Sequence, residues 1–268
     1  MTKTSSPAFA RRLGIKHLYH YERFRAERLS SMLRERKIFC SNPASLNDPW
    51  DCSLSFDPTP MKDPETFRRT MDWYHRQAAA PLEDRLKQQL EDRLQNDAEY
   101  LALFISTLAG ELQKMIFKRR LYCLTPDPAC TLMWSHYAEN HSGICLEFST
   151  DIPMFGNAMK VNYSMNCPLW LQNLTEKIGL EMVLTKAKSW EYEREFRVWT
   201  VGEGSPSPYL SPQGNFLALP DGALTSIIAG CVADYDAIRA IVDAHMPSLP
   251  VKRAVKVDHK FELQIADA

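Results

Sequence analysis

The chain has 268 residues, of which 45% are hydrophobic and 24% charged, as is typical of a globular protein that buries a core. Its 32 basic and 33 acidic side chains give a formal net charge of −1. This balance excludes the overall basic charge of many nucleic-acid-binding proteins, although it allows a local basic patch. Since we find neither the apolar run of a signal peptide nor the ~18 apolar residues of a membrane span, we expect a cytoplasmic protein without membrane contact.

The first part of the chain alternates short strand patterns with one helix pattern. Residues 15–21 indicate a strand, residues 22–36 an amphipathic helix and residues 37–41 a second short strand. A turn-rich segment with two prolines, NPASLNDPWD, follows. Residues 62–119 then have the apolar period of helices, and they are interpreted as a helical insertion or lid.

Strand patterns dominate the rest of the chain. The order is a buried strand at 120–125, a short helix in TLMWSHYAEN, strands in GICLEFS and MKVNYS, and a helix near 169–187. After a flexible loop at 202–214 come the strand LTSIIAGCV, the helix DYDAIRAIVDAHM and a hairpin made of VKRAVKV and KFELQI. We therefore expect one α+β domain over residues 1–268.

The cysteines indicate no metal centre and no disulfide framework. There are seven, they include no C-x-x-C pair, and most lie in apolar runs. They are interpreted as free buried thiols of a cytosolic protein. Because zinc-type spacing is absent from the sequence, we expect no metal.

The run KSWEYEREFRVW, residues 188–199, combines three glutamates and two arginines with four aromatic side chains. As a strand, it would place Glu191, Glu193 and Glu195 on one face. The aromatic neighbours favour a site that desolvates a carboxylate in order to use it, with Arg194 and Arg197 as its partners or as phosphate ligands. The alternative is an amphipathic edge strand with Glu–Arg pairs between strands.

Two further motifs bring polar and aromatic side chains together. His20 lies between two tyrosines in LYHYERF, where it is either a packed residue or a group for proton transfer. In LNDPWDC, the Asn-Asp-Pro sequence predicts a turn, since Asx side chains bond the local backbone and proline fixes φ. The turn does not explain the presence of Asp51, which is therefore a candidate pocket residue.

A fourth motif, WSHYAENHSGICLEF, places Trp134, Ser135, His136 and Tyr137 on a short helix. It is either a core helix with aromatic packing or a wall on which a planar ligand stacks. Adjacent helical residues diverge, so Ser135 and His136 do not form a nucleophile–base pair. Since the chain has only ten glycines and no phosphate-loop or G-x-G-x-x-G motif, a nucleotide would have to be held by stacking and side-chain hydrogen bonds.

In this order, LYHY, SNPASLNDPWDC, TLMWSHYAENHSGICLEF, KSWEYEREFRV and IIAGC resemble the bacterial family called domain of unknown function 2971. The resemblance covers roughly residues 16–232. Some members look related to abortive-infection proteins that give resistance to phage. The resemblance therefore implies a role in phage defence, and the family name implies no established reaction.

The chain is also similar to ADP-ribosyltransferase-like folds, which carry a His or Arg on an early strand, an aromatic or Ser in the middle and a Glu on a late strand. His20, Tyr137 and Glu195 follow this order, with Glu193 two residues earlier. The resemblance implies a curved, split sheet of mixed or antiparallel strands that holds NAD without a Gly-rich motif. It departs from the pattern in lacking a Ser-Thr-Ser type strand and in placing Phe196 and Arg197 after the glutamate.

The resemblance further implies that Glu195 binds the ribose 2′-hydroxyl and stabilises an oxocarbenium-like transition state. His20 and Tyr137 would position the nicotinamide ribose, and Glu193 would orient the acceptor or water. Substrate binding is assigned to the following residues: Tyr21, Asn47, Asp48, Asp51, Trp134, Ser135, His136 and Arg197.

Three functions follow. The first is an NAD-consuming enzyme of phage defence, a transferase or glycohydrolase with a nucleic acid or protein as acceptor. The second is a non-catalytic sensor or partner-binding module of a defence system, in which the same residues form a structural network. The third is a metal-dependent nuclease that uses Asp48, Asp51, Glu193 and Glu195.

Overall fold

The computed structural model describes residues 7–54, 56–77, 81–168, 171, 178–200 and 210–267. They form two compact units. The first unit combines residues 1–42, 119–161 and 189–268, and the second combines residues 43–118 and 162–188. Helices and sheets of both parallel and antiparallel strands are present, which confirms the predicted α+β class.

The strands, in chain order, are β1 (His17–Glu22), β2 (Lys37–Phe39), β3 (Leu121–Leu124), β4 (Ile144–Ser149), β5 (Met159–Lys160), β6 (Asn162–Ser164), β7 (Thr185–Ala187), β8 (Phe196–Trp199), β9 (Phe216–Ala218), β10 (Leu224–Ala229), β11 (Val251–Lys256) and β12 (Leu263–Asp267). The α-helices are α1 (Ala26–Glu35), α2 (Pro64–Gln77), α3 (Asp84–Asn96), α4 (Ala98–Phe117), α5 (Thr131–Tyr137), α6 (Pro153–Gly156), α7 (Ile178–Val183) and α8 (Tyr235–His245).

A five-stranded sheet organises the first unit. Its order is β1-β4-β10-β11-β12, with one parallel pair, β10 and β11, among antiparallel neighbours. The predicted terminal hairpin is confirmed by the antiparallel pairing of β11 with β12. The unit also contains the antiparallel sheet β3-β8-β5 and the strand pair β2-β9.

The strict alternation of β1 and β4 gives the five-stranded sheet two buried faces. Leu18 and Leu146 belong to the larger apolar cluster, together with residues of α1 and α8. Tyr21 and Cys145 belong to a second cluster with Trp134 of α5. Because neighbouring residues of a strand point to opposite faces, each face has its own chemistry. We call them the Leu18 face and the Tyr21 face.

The second unit contains the predicted helical stretch. Helices α2, α3 and α4 lie within residues 62–119, as predicted, and α3 packs against α4. Asp97 caps α4 by accepting a hydrogen bond from the backbone N–H of Tyr100 at 2.9 Å. Gln113 of α4 binds the preceding loop, donating to the Cys52 carbonyl and accepting from the Leu54 N–H. Strands β6 and β7 pair in parallel in this unit.

Two predicted elements differ from the structure. MKVNYS was predicted as one strand, but Val161 separates β5 from β6, and these strands belong to different sheets. The helix predicted near 169–187 is described only as α7, which is followed by β7; residues 169–170 and 172–177 lie outside the described residues. Most of the loop predicted at 202–214 also lies outside them. Within the described ranges, no helix has the length and apolar character needed to cross a membrane.

Candidate functional site

Helix α5 is attached to β1 through the Tyr21 face. Trp134 is fully buried, donates its indole N–H to the Pro128 carbonyl at 2.9 Å and meets the Tyr21 ring edge-on at 5.0 Å. The Tyr21 hydroxyl donates to the Asp127 carbonyl at 2.7 Å. These contacts satisfy the polar ends of both side chains inside the core. Trp134 and Tyr21, which were predicted to bind substrate, fix the helix that carries Tyr137.

A left-handed turn ends this helix. Glu139, Asn140 and His141 have φ values of 50°, 54° and 69°, so three consecutive residues other than glycine adopt a conformation that costs roughly 1–2 kcal/mol each. Two glycines allow the close packing that holds the turn. A Cβ on Gly143 would lie 2.4 Å from the Glu22 carbonyl oxygen, and one on Gly230 would lie 2.0 Å from the His141 carbonyl oxygen. The position of α5 is therefore fixed by its surroundings.

The glutamate-rich run is not a continuous strand. Residues Lys188–Glu193 form a 3-10 helix, Arg194 has a φ of 49°, and only β8 continues as a strand. Glu191 is exposed, whereas Glu193 and Glu195 are buried. The prediction that the three carboxylates share one strand face was wrong. The alternating pattern is overridden by the turn at Arg194 and by the tertiary contacts of the two buried carboxylates.

Tyr137 and Glu193 form the closest polar contact in this region. The Tyr137 hydroxyl donates to Glu193 Oε1 at 2.5 Å, and the Glu193 side chain is buried. Tyr137 itself packs against the cluster of the Tyr21 face. A short O–H···O contact to a carboxylate is the strong, charge-assisted kind of hydrogen bond. The structure thus brings together two of the four predicted catalytic residues.

Glu195 lies two residues further on and has a different partner. Arg197 donates its Nε–H to Glu195 Oε1 at 2.7 Å and its Nη2–H to Oε2 at 2.9 Å, and both side chains are almost completely buried. This bidentate pair compensates the charge of the carboxylate. Two neighbouring buried glutamates therefore accept from different groups: Glu193 from a phenol and Glu195 from a guanidinium.

Aromatic side chains lie beside this carboxylate pair. His136 Nδ1 is 2.9 Å from the Tyr192 hydroxyl, and the two rings are 6.0 Å apart. Trp190 lies 6.1 Å from Tyr192, measured between ring centroids. Tyr192 was not predicted as a site residue, since an assumed strand gave it the face opposite to the glutamates. Ser135 is half-buried on α5, and its carbonyl accepts from the Asn140 N–H at 3.3 Å.

His20 lies on the other face of the sheet. In the regular strand β1 its neighbour Tyr21 belongs to the α5 side, whereas the His20 ring stacks on Tyr122 of the larger cluster at 4.2 Å. Its Nδ1–H donates to the Cys123 carbonyl at 2.7 Å. Burial lowers the pKa of His20 to about 4, so the imidazole is neutral near pH 7. The structure does not bring His20 together with Tyr137.

The acidic loop belongs to the second unit. Asp48 Oδ1 accepts from the Trp50 N–H at 3.0 Å, which confirms the predicted Asx turn. Asp51 is buried with Lys186, whose Nζ is 3.7 Å from its Oδ2. Asn47 is exposed. Lys186 was not predicted from the sequence, because a single lysine before the glutamate-rich run gives no signal of a distant partner.

A metal centre needs several ligating side chains close together. Across the part of the chain that the structure describes, no group of three or more His, Cys, Asp or Glu residues is arranged to hold a metal ion. Asp48, Asp51, Glu193 and Glu195, on which the nuclease hypothesis depends, therefore form no such group.

Residues 133–198 match the family model described as protein of unknown function (DUF2971). The match confirms the predicted DUF2971 family over the segment that extends from α5 to β8. It includes Tyr137, Glu193, Glu195 and Arg197. Comparisons with the curated proteins and with the solved structures give no match.

Proposed function

We propose that this chain, whose residues 133–198 match the DUF2971 family model, cleaves the N-glycosidic bond of NAD and transfers ADP-ribose to water or to an acceptor. The observation that supports this proposal is the contact between Tyr137 and Glu193, a buried carboxylate held by a phenol beside a second, charge-compensated carboxylate. Paired carboxyl groups in contrasting environments are typical of sites that divide chemical roles between them.

In this proposal Glu193, rather than Glu195, stabilises the transition state. Cleavage at the ribose C1′ develops positive charge, which a nearby anion stabilises best in a site that excludes water. The charge of Glu195 is compensated by Arg197 through two hydrogen bonds. Glu193 accepts a hydrogen bond from the phenol of Tyr137, and we assign the stabilising carboxylate to this position. Glu195 and Arg197 then position the chain on which Glu193 lies.

The aromatic side chains near this pair suit the other part of the substrate. A nicotinamide ring is planar and, in NAD, cationic, so electron-rich aromatic faces attract it. The Tyr192 ring supplies such a face, with the His136 ring 6.0 Å and the Trp190 ring 6.1 Å from it. We assign nicotinamide stacking to them. This replaces the role of His20, which lies on the opposite face of the sheet.

The reaction balances without a further reagent. The bond between C1′ and the nicotinamide nitrogen breaks, and its electron pair leaves with the nicotinamide, which becomes neutral. An oxygen of water or of the acceptor bonds to C1′. The proton of that oxygen passes to Glu193 and then to solvent, so the carboxylate is regenerated.

The test is incubation of the purified chain with NAD, alone and with nucleic acid or cell lysate, while nicotinamide release is measured. Release without an acceptor supports the hydrolase form, and release only with nucleic acid or lysate supports the transferase form. Absence of release under all of these conditions contradicts both. A role in phage defence adds a further expectation: cells that express the chain should restrict phage, and cells that express Glu193→Gln should not.

A second candidate is a non-catalytic sensor or partner-binding module. It is favoured by the bidentate pair of Glu195 and Arg197, since a fully partnered buried ion pair can specify a fold without taking part in a reaction. Under this hypothesis the wild-type chain releases no nicotinamide. Cells that express Glu193→Gln then restrict phage as well as cells that express the wild-type chain. No contact among the described residues favours the nuclease.

A further inference from the structure

A cavity of about 430 Å³ lies in the first unit on the Leu18 face. Its walls come from β1, α1, β2 and β4 and from Tyr122 and Phe216. The size is that of a small-molecule site. Leu146, which lines it, pairs with His20 in the sheet register and belongs to the larger cluster, so the cavity faces away from Tyr137 and α5.

Two buried polar groups line this cavity. The side chain of Glu22 is 10% exposed, and Arg28 Nη2 lies 2.9 Å from its Oε2. The other oxygen of this carboxylate accepts no hydrogen bond from any described residue. Tyr122 is 2% exposed, and its hydroxyl has no hydrogen-bond partner within the described ranges. Neither oxygen is among the fully buried side-chain atoms without a partner, so both are accessible to a ligand that enters the cavity and can bond to it.

The charges of these two groups define what they can bind. Burial raises the pKa of Tyr122, and the nearby Glu22 carboxylate raises it further, so the phenol keeps its proton and can donate it. The Glu22 carboxylate next to Arg28 accepts. An acceptor beside a donor complements a ligand that carries an N–H beside a C=O, as in the cyclic amide of a nucleobase.

The rim of the cavity supplies aromatic surface and positive charge. Phe39 and Phe216 are directly opposed in the β2–β9 pair, and their rings meet edge-on at 5.6 Å. Both are partly exposed, which is unusual for two phenylalanines on one surface patch. Lys37 and Glu35 also line the cavity, and the charge of Lys37 acts on the Glu35 carboxylate without a direct ion pair. An anionic group at the mouth is assigned to Lys37 in competition with this carboxylate.

We propose that this cavity binds a mononucleotide whose base carries a cyclic amide, with the base against Glu22 and Tyr122 and the phosphate towards Lys37. The aromatic rim packs against the base or ribose. This site is separate from the one proposed for NAD cleavage, and binding there requires no turnover.

His20 has a supporting role here. Its ring stacks on Tyr122 at 4.2 Å, and its hydrogen bond to the Cys123 carbonyl fixes the ring orientation. Because the imidazole is neutral, it holds the Tyr122 ring in place and adds no charge next to the bound ligand. His20 is thus a positioning residue of the nucleotide site.

The test is calorimetric titration of the full chain with guanosine monophosphate, guanosine and inorganic phosphate. We expect guanosine monophosphate to bind, guanosine to bind about tenfold more weakly because one charge-assisted contact is lost, and phosphate alone to give no measurable binding. Absence of binding by guanosine monophosphate, or equal binding by phosphate alone, overturns the proposal. So does displacement of guanosine monophosphate by NAD, since the cavity would then belong to the NAD site.

Variants assign the contacts. Lys37→Ala should weaken guanosine monophosphate about tenfold and leave guanosine unchanged, whereas Lys16→Ala, a control at an exposed lysine outside the cavity, should change neither. Tyr122→Phe removes only the hydroxyl and should weaken both ligands about tenfold with the fold intact. Unchanged affinities in both Lys37→Ala and Tyr122→Phe overturn the assignment. This readout is independent of nicotinamide release, so either proposal can fail without the other.

Discussion

The two faces of the five-stranded sheet differ in how their polar groups are satisfied. On the Tyr21 face, the Tyr137 hydroxyl and the Trp134 indole have protein partners, and the neighbouring carboxylates Glu193 and Glu195 are also bonded. On the Leu18 face, the cavity keeps a Glu22 oxygen and the Tyr122 hydroxyl without a partner among the described residues. A preorganised arrangement suits catalysis or rigidity, and an unsatisfied one suits ligand binding.

The largest expected effect is on the charge pair of Glu195 and Arg197. Arg197→Met should lower the free energy of unfolding by about 3–5 kcal/mol, because it leaves a buried carboxylate without its counter-charge. Denaturant unfolding measures this. The matched control is Arg194→Met at the exposed arginine three residues earlier, where the change should stay within about 0.5 kcal/mol. Equal small effects at both positions would show that the pair contributes little.

The next effect concerns the turn that ends α5. Gly230→Ala places a methyl group against the His141 carbonyl oxygen and should cost about 1–3 kcal/mol. Gly110→Ala on α4 meets open space and should stabilise the chain by about 0.5–1 kcal/mol. Thermal unfolding of the two variants gives the comparison. Destabilisation by both substitutions would mean that the close approach at Gly230 is not the cause.

An effect of similar size is expected when the phenol is removed from Glu193. Tyr137→Phe leaves a buried carboxylate with one hydrogen bond fewer and should cost about 1–3 kcal/mol. Tyr235→Phe is the control, since its hydroxyl makes a longer bond of 3.3 Å to the Val251 carbonyl and should cost less than about 1 kcal/mol. If Tyr137→Phe proves no worse than this control in chemical denaturation, the short contact is not a strong one.

The Leu18 face should give a pH dependence, whose effect per pH unit is the smallest change expected here. The pKa of His20 is lowered by burial to about 4 from an ordinary value near 6.5. Between these values the unfolded chain binds a proton that the folded chain does not, so stability should fall as the pH decreases from 6.5 to 4. The slope from this group is at most about 1.4 kcal/mol per pH unit.

The measurement compares the wild-type chain with His20→Asn by urea denaturation at several pH values. The asparagine amide nitrogen corresponds in position to Nδ1 of histidine and can donate to the Cys123 carbonyl, but it does not titrate, so the difference between the two curves isolates His20. If the free energies of unfolding of the two chains depend on pH in the same way over this range, His20 is not a buried imidazole with a lowered pKa.

Local patterns predicted much of the fold. The apolar period of residues 62–119 gave α2 to α4, and alternating or continuous apolar runs gave β1, β4, β10 and the hairpin of β11 and β12. The glutamate-rich run shows where such patterns fail. Its alternation is compatible with a strand, but Arg194 adopts a positive φ and the residues before it form a 3-10 helix. Tertiary contacts of Glu193 decide this, and they have no local signature.

The candidate site was predictable only in part. The motif order placed Tyr137 and Glu193 in one region, because helix α5 and the run after it both carry aromatic and acidic side chains. The pairing of Glu195 with Arg197 was among the alternatives that alternation allowed. The separation of His20 from Tyr137 was not predictable from motif order, since it depends on which face of β1 receives α5. The cavity beside Tyr122 arises from the packing of distant segments and leaves no motif.

The most direct test of the account is nicotinamide release by Glu193→Gln measured beside Glu191→Gln. The first variant neutralises the buried carboxylate that Tyr137 holds, and the second neutralises an exposed one two residues away. We predict a loss of at least about 100-fold in kcat for Glu193→Gln, with a thermal midpoint close to that of the wild-type chain, and wild-type release for Glu191→Gln. Wild-type release by a folded Glu193→Gln variant would contradict the assignment of the reaction to this carboxylate.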